Sequence, residues 1–325
     1  NIFKGFLMKK IIELKRDPNI LEIDWLISNK CNYNCFYCPA DTKNGTHGWP
    51  ELQNIEKLIR RLNQLYPNKT IYYSLLGGEA TLWKQFPDFI NLLVDKTNRC
   101  KIRLISNGTM PAKYWLKNSK LFQSIVFDFH LPEGEEHVGK FIESANCIEH
   151  AEDFTVNIMS PPGYLEKTKM IFDQVVNEIK TARKISVKLI DNRAIPNEPR
   201  KLLEYPAEQI EWIRINSPFK NKSAKQKNFI PLTAVYDDRI EESVSVRKLL
   251  NSKQTDFFGW ECNLLSEKLA FMVDGKIKGG SGCKLGEVNG NWRTGEISSI
   301  TQASVICTKH CCSCAQDIRV SKRKI

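Results

Sequence analysis

The stretch ISNKCNYNCFYCP, from Ile27 to Pro39, decides how this chain folds and what it can bind. Cys31, Cys35 and Cys38 stand there in a C-x3-C-x2-C spacing, just after an apolar run that reads as a strand. Thiolates are soft ligands that suit iron–sulfur clusters or zinc, and three on one short loop can grip three corners of a cubane cluster. A cluster ligated wholly by protein calls for a fourth cysteine close by, and the next one along the chain is Cys100. The three-thiol reading therefore leaves one iron open to another ligand. A structural zinc knuckle is the alternative, but it wants four ligands, and His47, the nearest candidate, lies outside the loop.

Working outward from this loop, the pattern alternates strand and helix. A strand over 23–28 leads into the cysteines. Pro50 opens a helix whose apolar positions Leu52, Ile55, Ile59 and Leu62 share one face. Strands follow at Thr70–Leu76, 101–106, Ser124–His130, Asp153–Ser160 and 184–190, each rich in β-branched or aromatic residues. Helices fall between them at Phe86–Lys96, 111–120, 136–150 and 165–180, with a closing helix over 206–215. Six strands alternating with helices imply a parallel sheet with right-handed crossovers. Such sheets carry their sites at the carboxyl ends of the strands, and the cysteine loop follows the first strand.

Other chemistry-bearing residues fall at the same kind of place. Gly77-Gly78-Glu79 follows the second strand. Glycines let backbone approach a ligand closely, and a carboxylate can balance an ammonium, although glycines also commonly end strands. Ser106-Asn107-Gly108 ends the third strand, where an ordinary Asn-Gly turn is the plain alternative. Asp128 and His130 alternate near the end of the fourth strand and so share a face; a satisfied core histidine is the usual rival. Glu133, Glu135, Glu136 and His137 follow, either as a solvated loop or within reach of a substrate.

Taken together, these residues resemble the radical S-adenosylmethionine (radical SAM) superfamily. The resemblance implies an α/β fold, a six-fold (βα) partial barrel of TIM type with a cluster at its mouth. It implies a [4Fe–4S] cluster on Cys31, Cys35 and Cys38, with S-adenosylmethionine chelating the open iron through its amino and carboxylate groups. By the same resemblance Tyr37 lies against the adenine and Gly77, Gly78 and Glu79 meet the amino group. Ser106 and Asn107 then line the cofactor pocket, and Asp128 and His130 contact its ribose or methionine part.

The C-terminal quarter carries Cys262, Cys283, Cys307, Cys311, Cys312 and Cys314. The segment FMVDGKIKGGSGC holds an Asp274-Gly275 turn between strand-like residues, a strong hairpin signal. That hairpin is expected to hold Cys262 and Cys283 on one side, and CTKHCCSC adds further thiolates. The unit resembles the SPASM and twitch extensions of radical SAM enzymes, which implies one auxiliary [4Fe–4S] cluster; the cysteines are too few for two. A zinc ribbon with four thiolates is the alternative. Cys100 and Cys147 read as ordinary core thiols.

Length and composition bound the rest. The chain's 325 residues, 42% hydrophobic and 10% aromatic, suffice for one enlarged barrel with a small added unit. The expected divisions are an N-terminal extension over 1–20, the barrel over 21–216, a linker or bridging region over 217–258 with a helix over 240–250, and the cysteine-rich unit over 259–325. No apolar run is long enough to cross a bilayer. The start, NIFKGFLMKKII, lacks the apolar core and cleavage site of a signal peptide, so a cytoplasmic chain without membrane contact is expected. Eleven cysteines, an odd number, suit metal binding better than a disulfide framework. The net charge of +11 invites a nucleic-acid partner. Lysine and arginine are nevertheless mixed with acids and concentrate only in 220–227 and 319–324, which read as a solvated linker and tail.

The resemblance implies reductive cleavage of S-adenosylmethionine and removal of a hydrogen atom from a substrate, with flavodoxin or ferredoxin as the kind of electron donor required. A peptide or protein maturase is the leading expectation, because extended family members most often modify ribosomally made peptides. A dehydrogenase of a small amino sugar or aminocyclitol comes second. A non-catalytic iron–sulfur or zinc protein that binds nucleic acid is the third, opposed by Gly77-Gly78-Glu79 and the missing fourth ligand.

Overall fold

The structure, a computed structural model, describes residues 9–192, 201–220, 231–283, 285–300, 303–312 and 314–325. The basic run 220–227 lies outside these residues apart from the backbone of Lys220. Strands β1 (Ile11–Lys15) and β2 (Ile20–Leu26) open the chain. There follow α1 (Leu52–Leu65), β3 (Thr70–Leu76), α2 (Phe86–Lys96), β4 (Cys100–Ser106), α3 (Ala112–Asn118) and β5 (Ser124–His130). The alternation continues with α4 (Val138–Asn146), β6 (Asp153–Ser160), α5 (Leu165–Glu178), β7 (Lys184–Leu189), α6 (Ala207–Asn216) and β8 (Phe219–Lys220). Strands β2 to β7 pair in parallel in the order of the sequence. Same-handed crossovers between successive neighbours put α1 to α6 on one face, and the sheet wraps its other face inward. This is the parallel α/β sheet that the alternation implies, in the partial-barrel architecture that the resemblance implies.

The two faces differ in chemistry because side chains alternate along a strand. Leu21, Ile23, Trp25, Ile71, Tyr73, Ile102, Phe127, Phe154 and Val187 join the buried core under the helices. The α1 residues Ile55, Leu58, Ile59 and Leu62 meet them, at the helical spacing the sequence displays. The alternate positions, among them Glu22, Asp24, Arg103, Asp128, His130 and Lys188, face the inside of the curve.

The remainder comprises β9 (Leu232–Tyr236), β10 (Glu241–Val244), α7 (Val246–Asn251), β11 (Glu261–Cys262), α8 (Leu264–Glu267) and β12 (Lys268–Phe271). After it come β13 (Ile277–Lys278), β14 (Glu287–Val288), the ribbon β15 (Gly290–Asn291) and β16 (Glu296–Ile297), β17 (Val305–Ile306), α9 (Ala315–Ile318) and β18 (Lys322–Arg323). Strand β12 pairs in parallel with β2, so the barrel sheet continues β2-β12-β13-β14. A second sheet runs β10-β9-β1-β18-β11-β17 and takes in β1 from the chain's beginning.

Three local expectations differ from the structure. The segment 240–250 is not one helix: Val244 is buried opposite Leu232 in β10, and Ser245 accepts from the Lys248 N–H to start α7. The end of the chain is not a solvated basic tail. Lys322 is 3% exposed, because β18 is clasped between β1 and β11. The Asp274-Gly275 hairpin is present, but its strands join the barrel sheet while Cys262 sits in the other sheet.

The C-terminal part is fastened to the barrel in two ways. Trp25 packs edge-on against Phe89, Phe271 and Trp292 at ring centroid distances of 5.3, 5.2 and 5.3 Å. Inside the curve, Lys268 bonds Asp24 at 2.7 Å and lies 3.6 Å from Glu22, which meets Arg16 at 3.2 Å; Arg16 lies 3.4 Å from Glu267. The Ser281 hydroxyl donates to the same Asp24 carboxylate. Burial alone would push Glu22 up, but Lys268 and Arg16 outweigh it and hold its carboxyl below the usual range. Lys268 is held above its usual range by Glu22 and Asp24 despite its burial.

Candidate active site and metal centres

The cysteine loop leaves the carboxyl end of β2 and is braced from behind. Asn29 donates to the Asp41 carbonyl at 2.8 Å and to Asn44 Oδ1 at 2.6 Å, and accepts from the His47 N–H at 2.8 Å. Lys43 Nζ donates to the Cys35 carbonyl at 2.5 Å, and the Cys38 N–H donates to that same carbonyl at 3.1 Å. Cys31, Cys35 and Cys38 all line one cavity of about 380 Å³. Burial pushes the Cys31 thiol up, and the neighbouring Cys38 together with burial pushes Cys35 up. Such thiols stay protonated at neutral pH unless a metal ionises them.

Gly77 and Gly78 line the same cavity and have φ of 97° and 53°. A Cβ on Gly78 would overlap the Lys30 carbonyl, and the Glu79 N–H donates to that carbonyl at 2.8 Å. The two glycines therefore let the second strand's turn lie directly on the cysteine loop. Glu79 is buried behind the cavity lining. It accepts from the Thr81 hydroxyl at 2.6 Å, the Ser106 hydroxyl at 2.9 Å and the Asn107 N–H at 2.6 Å. Burial pushes its carboxyl up against these bonds. Glu79 thus ties the turn after β3 to the turn after β4. Ser106 and Asn107 line the cavity, and the Asn107 amide donates to Asn32 Oδ1 at 2.9 Å, joining the third turn to the cysteine loop.

Asp128 and His130 reach the cavity from β5. Asp128 accepts from Asn157 Nδ2 at 2.7 Å. His130 Nδ1 lies 3.0 Å from the Tyr37 hydroxyl, and the two rings stack with centroids 6.0 Å apart. Tyr37 also donates to the Leu131 carbonyl at 3.2 Å, so its ring is pinned at the edge of the cavity. Burial pushes the His130 imidazole down against the pull of Asp128 and Glu133.

Sequence reasoning missed Tyr33, Lys43, Met159 and Ile190, which also line the cavity. Met159 stands directly across from His130 in the β5–β6 register, and the apolar-polar alternation of DFTVNIMS carries that signal. Tyr33 is pushed up to about 12 by burial and meets His130 edge-on at 6.2 Å. Glu135 bonds Lys167 at 2.6 Å, while Glu136 and His137 are exposed.

The six C-terminal cysteines come together as well. Cys262, Cys283, Cys307, Cys311, Cys312 and Cys314 all line a second cavity of about 220 Å³, with Phe257, Asp317 and Lys322. Burial pushes Cys262 and Cys312 up to about 12 each. Cys311 is exposed and Cys307 is buried. Among the described residues no group of three or more His, Cys, Asp or Glu side chains is set to hold a single metal ion. Cys100 and Cys147 are half-buried and line neither cavity.

A parallel βα partial barrel with a three-thiol loop and a Gly-Gly turn at its mouth defines a class of cofactor-binding domain. Residues 25–153 match the family profile of the Radical SAM superfamily, so that part of the chain carries a Radical SAM domain. The chain is 32% identical over 89 residues to GTP 3',8-cyclase of Shewanella denitrificans, a match covering 27% of this chain and 26% of that protein. A probable GTP 3',8-cyclase of Methanococcus maripaludis is 30% identical over 89 residues, covering 27% and 29%. The chain thus spans little more than a quarter of the curated relatives it matches. Among solved structures, native anSMEcpe with bound AdoMet and Kp18Cys peptide superposes with a TM-score of 0.52 at 14% identity, covering 84% of this chain and 78% of that one. Streptococcus suis SuiB bound to S-adenosylmethionine gives a TM-score of 0.50 at 15% identity, covering 84% and 63%. These likenesses concern the fold.

Proposed function

We propose that this chain is a radical SAM enzyme acting on a peptide. The observation that carries the reading is the convergence of three thiols, a Gly-Gly turn, Ser106, Asn107 and Tyr37 on one cavity at the carboxyl ends of parallel strands. The residues fit the implied group: three cysteines from one loop face a common space large enough for a cluster and part of a nucleoside. Cys31, Cys35 and Cys38 would hold the [4Fe–4S] cluster, which with S-adenosylmethionine supplies one-electron reductive cleavage to methionine and a 5′-deoxyadenosyl radical. The chain's own part is placement. Tyr37, pinned by His130 and Leu131, offers a fixed aromatic edge, and the open turn at Gly77-Gly78 offers backbone groups at close range.

The second cavity would hold one auxiliary cluster on four of its six thiols, a relay or electron acceptor for the product. The peptide reading draws on anSMEcpe, whose structure contains both AdoMet and a peptide. Chemistry of this kind calls for a reducing cytoplasm and a donor of the flavodoxin or ferredoxin kind. Among the described residues no helix is long and apolar enough to cross a membrane.

The test is anaerobic. Reconstituted, dithionite-reduced protein is incubated with S-adenosylmethionine and 5′-deoxyadenosine is measured by chromatography. Changing Cys31, Cys35 and Cys38 together to Ala should bring its formation to background; undiminished formation ends the radical SAM reading. Turnover of a free amino sugar or aminocyclitol with no turnover of peptides would replace the peptide half of the proposal.

A further inference from the structure

The six C-terminal thiols have two buried ionic neighbours that the proposed chemistry does not use. Asp317 is 3% exposed, yet its carboxylate meets no cationic side chain within ion-pair distance among the described residues. It accepts instead from three successive backbone donors: the Ser281 N–H at 3.0 Å, the Gly282 N–H at 2.8 Å and the Cys283 N–H at 2.7 Å. Gly280 and Gly282 are what let the loop wrap so closely. A Cβ at Gly280 would sit 3.0 Å from Asp317 Oδ1, and one at Gly282 would sit 2.8 Å from Cys314 Cβ. The carboxylate therefore folds the Cys283 loop against Cys314.

Lys322 lines the same cavity. Its ammonium donates to the carbonyls of Asp317, Ile318 and Val320 at 3.0, 2.9 and 2.8 Å, and lies 4.7 Å from the Phe257 ring centroid. It grips the turn that follows Cys314 and brings a positive charge to the thiols of Cys262 and Cys312. An unpaired buried charge is costly, so two of opposite sign placed at one thiol cavity need a reason.

We propose that Asp317 and Lys322 are the positioning pair of the C-terminal thiol pocket, shaping the loops that carry its ligands and setting, with opposite signs, the reduction potential of the cluster held there. The proposal rests on reading that pocket as a cluster site. Hydrogen bonds to cluster sulfurs and nearby charge are the main protein levers on such potentials. Asp317 acts on both: it occupies three N–H groups beside Cys283 and adds negative charge, so it disfavours the electron-rich reduced form. Lys322 adds positive charge and favours that form. Neither residue takes part in bond making; both act through the ligands.

The experiment uses the full chain with Cys31, Cys35 and Cys38 changed to Ala, so that only the C-terminal site can hold iron. This parent should carry about four irons, as a thiolate-bound cubane does. In it, Asp317→Asn should move the midpoint potential upward by a tenfold change in the redox equilibrium, about 59 mV for one electron. Lys322→Met should move it downward by a similar factor, and Lys322→Arg should restore the parent value. Shifts of the same sign in Asp317→Asn and Lys322→Met, or none, overturn the charge role.

The loop role is read separately, on metal-free protein, from alkylation of Cys283 by iodoacetamide measured against Cys262. Asp317→Asn should speed it at least tenfold, whether or not that variant takes up iron. An unchanged rate overturns the positioning role. A parent without iron ends the cluster reading beneath the proposal, and the alkylation result still decides whether Asp317 holds the loop.

Discussion

The two cysteine sites of this molecule are built in opposite ways. At the first, three thiols come from eight consecutive residues, Cys31 to Cys38, on a loop fixed by Asn29 and Lys43. At the second, six thiols come from segments spread between Cys262 and Cys314 and meet only when β11, the β13 loop, the β17 loop and α9 are in place. The first faces a cavity of about 380 Å³ at the barrel mouth, the second one of about 220 Å³ flanked by Asp317 and Lys322. A local site needs the fold as a platform and keeps room for a ligand. A dispersed site is itself part of the fold, and its surroundings must settle buried charge before it can hold anything.

Lys268 gives the largest expected effect and tests whether the two regions are one body. It bridges Glu22 and Asp24 of the strand that leads to the first site, and Asp24 in turn takes the Ser281 hydroxyl from the second. Lys268→Met leaves two buried carboxylates with one cation fewer, a loss of about 3–5 kcal/mol. Urea unfolding of the metal-free chain should show it across a single transition. A loss below about 1 kcal/mol, the scale of an exposed ion pair, or a change confined to one of two transitions, would break the comparison, since the sites would then belong to separate bodies.

Two glycine substitutions sharpen it further. Gly78→Ala forces a side chain into φ of 53° and against the Lys30 carbonyl, a strain of about 1–3 kcal/mol. Its damage should stay local, abolishing measurable binding of S-adenosylmethionine while the C-terminal iron remains. Gly282→Ala pushes on Cys314 and Asp317 with no backbone strain, so it should lower C-terminal iron and leave S-adenosylmethionine binding intact. Calorimetric titration and iron analysis of both proteins decide the matter. Loss of both properties in either variant would mean that the sites are not assembled independently.

This contrast also explains what could be seen in the sequence. The three-cysteine loop, the Gly77-Gly78 turn and the run of βα units are set by neighbours within a few residues, and their spacing states them openly. The gathering of Cys262, Cys283 and the Cys307–Cys314 string was visible as a tendency, because a hairpin and a cysteine-rich end are local facts too. Asp317 and Lys322 were not visible. Asp317 meets a loop some 35 residues away, and Lys322 is buried only because β18 lies between β1 and β11, so its charge read as a solvated tail. Glu79 looked like a partner for an ammonium, and only the structure places it behind the wall, tying Ser106 and Asn107.

The smallest expected effect separates a neutral polar group at the first site from the fixed charges at the second. His130 is flanked by Tyr33, Tyr37, Asp128 and Glu133, and burial outweighs the two carboxylates to push its imidazole below the usual range. A depressed histidine contributes stability that is present above its unfolded-state value, about 6.5, and lost as pH falls toward the folded-state value. His130→Gln removes this titration along with the bond to the Tyr37 hydroxyl. At pH 8 the metal-free variant should be less stable than the parent by about 0.5–1.5 kcal/mol, the worth of one hydrogen bond. As the pH is lowered toward 5 the gap should close, because only the parent must then hold back a proton. A gap that widens on acidification would mean that the folded protein favours a charged His130, and the first site would then resemble the second; a constant gap would mean that folding does not disfavour its protonation.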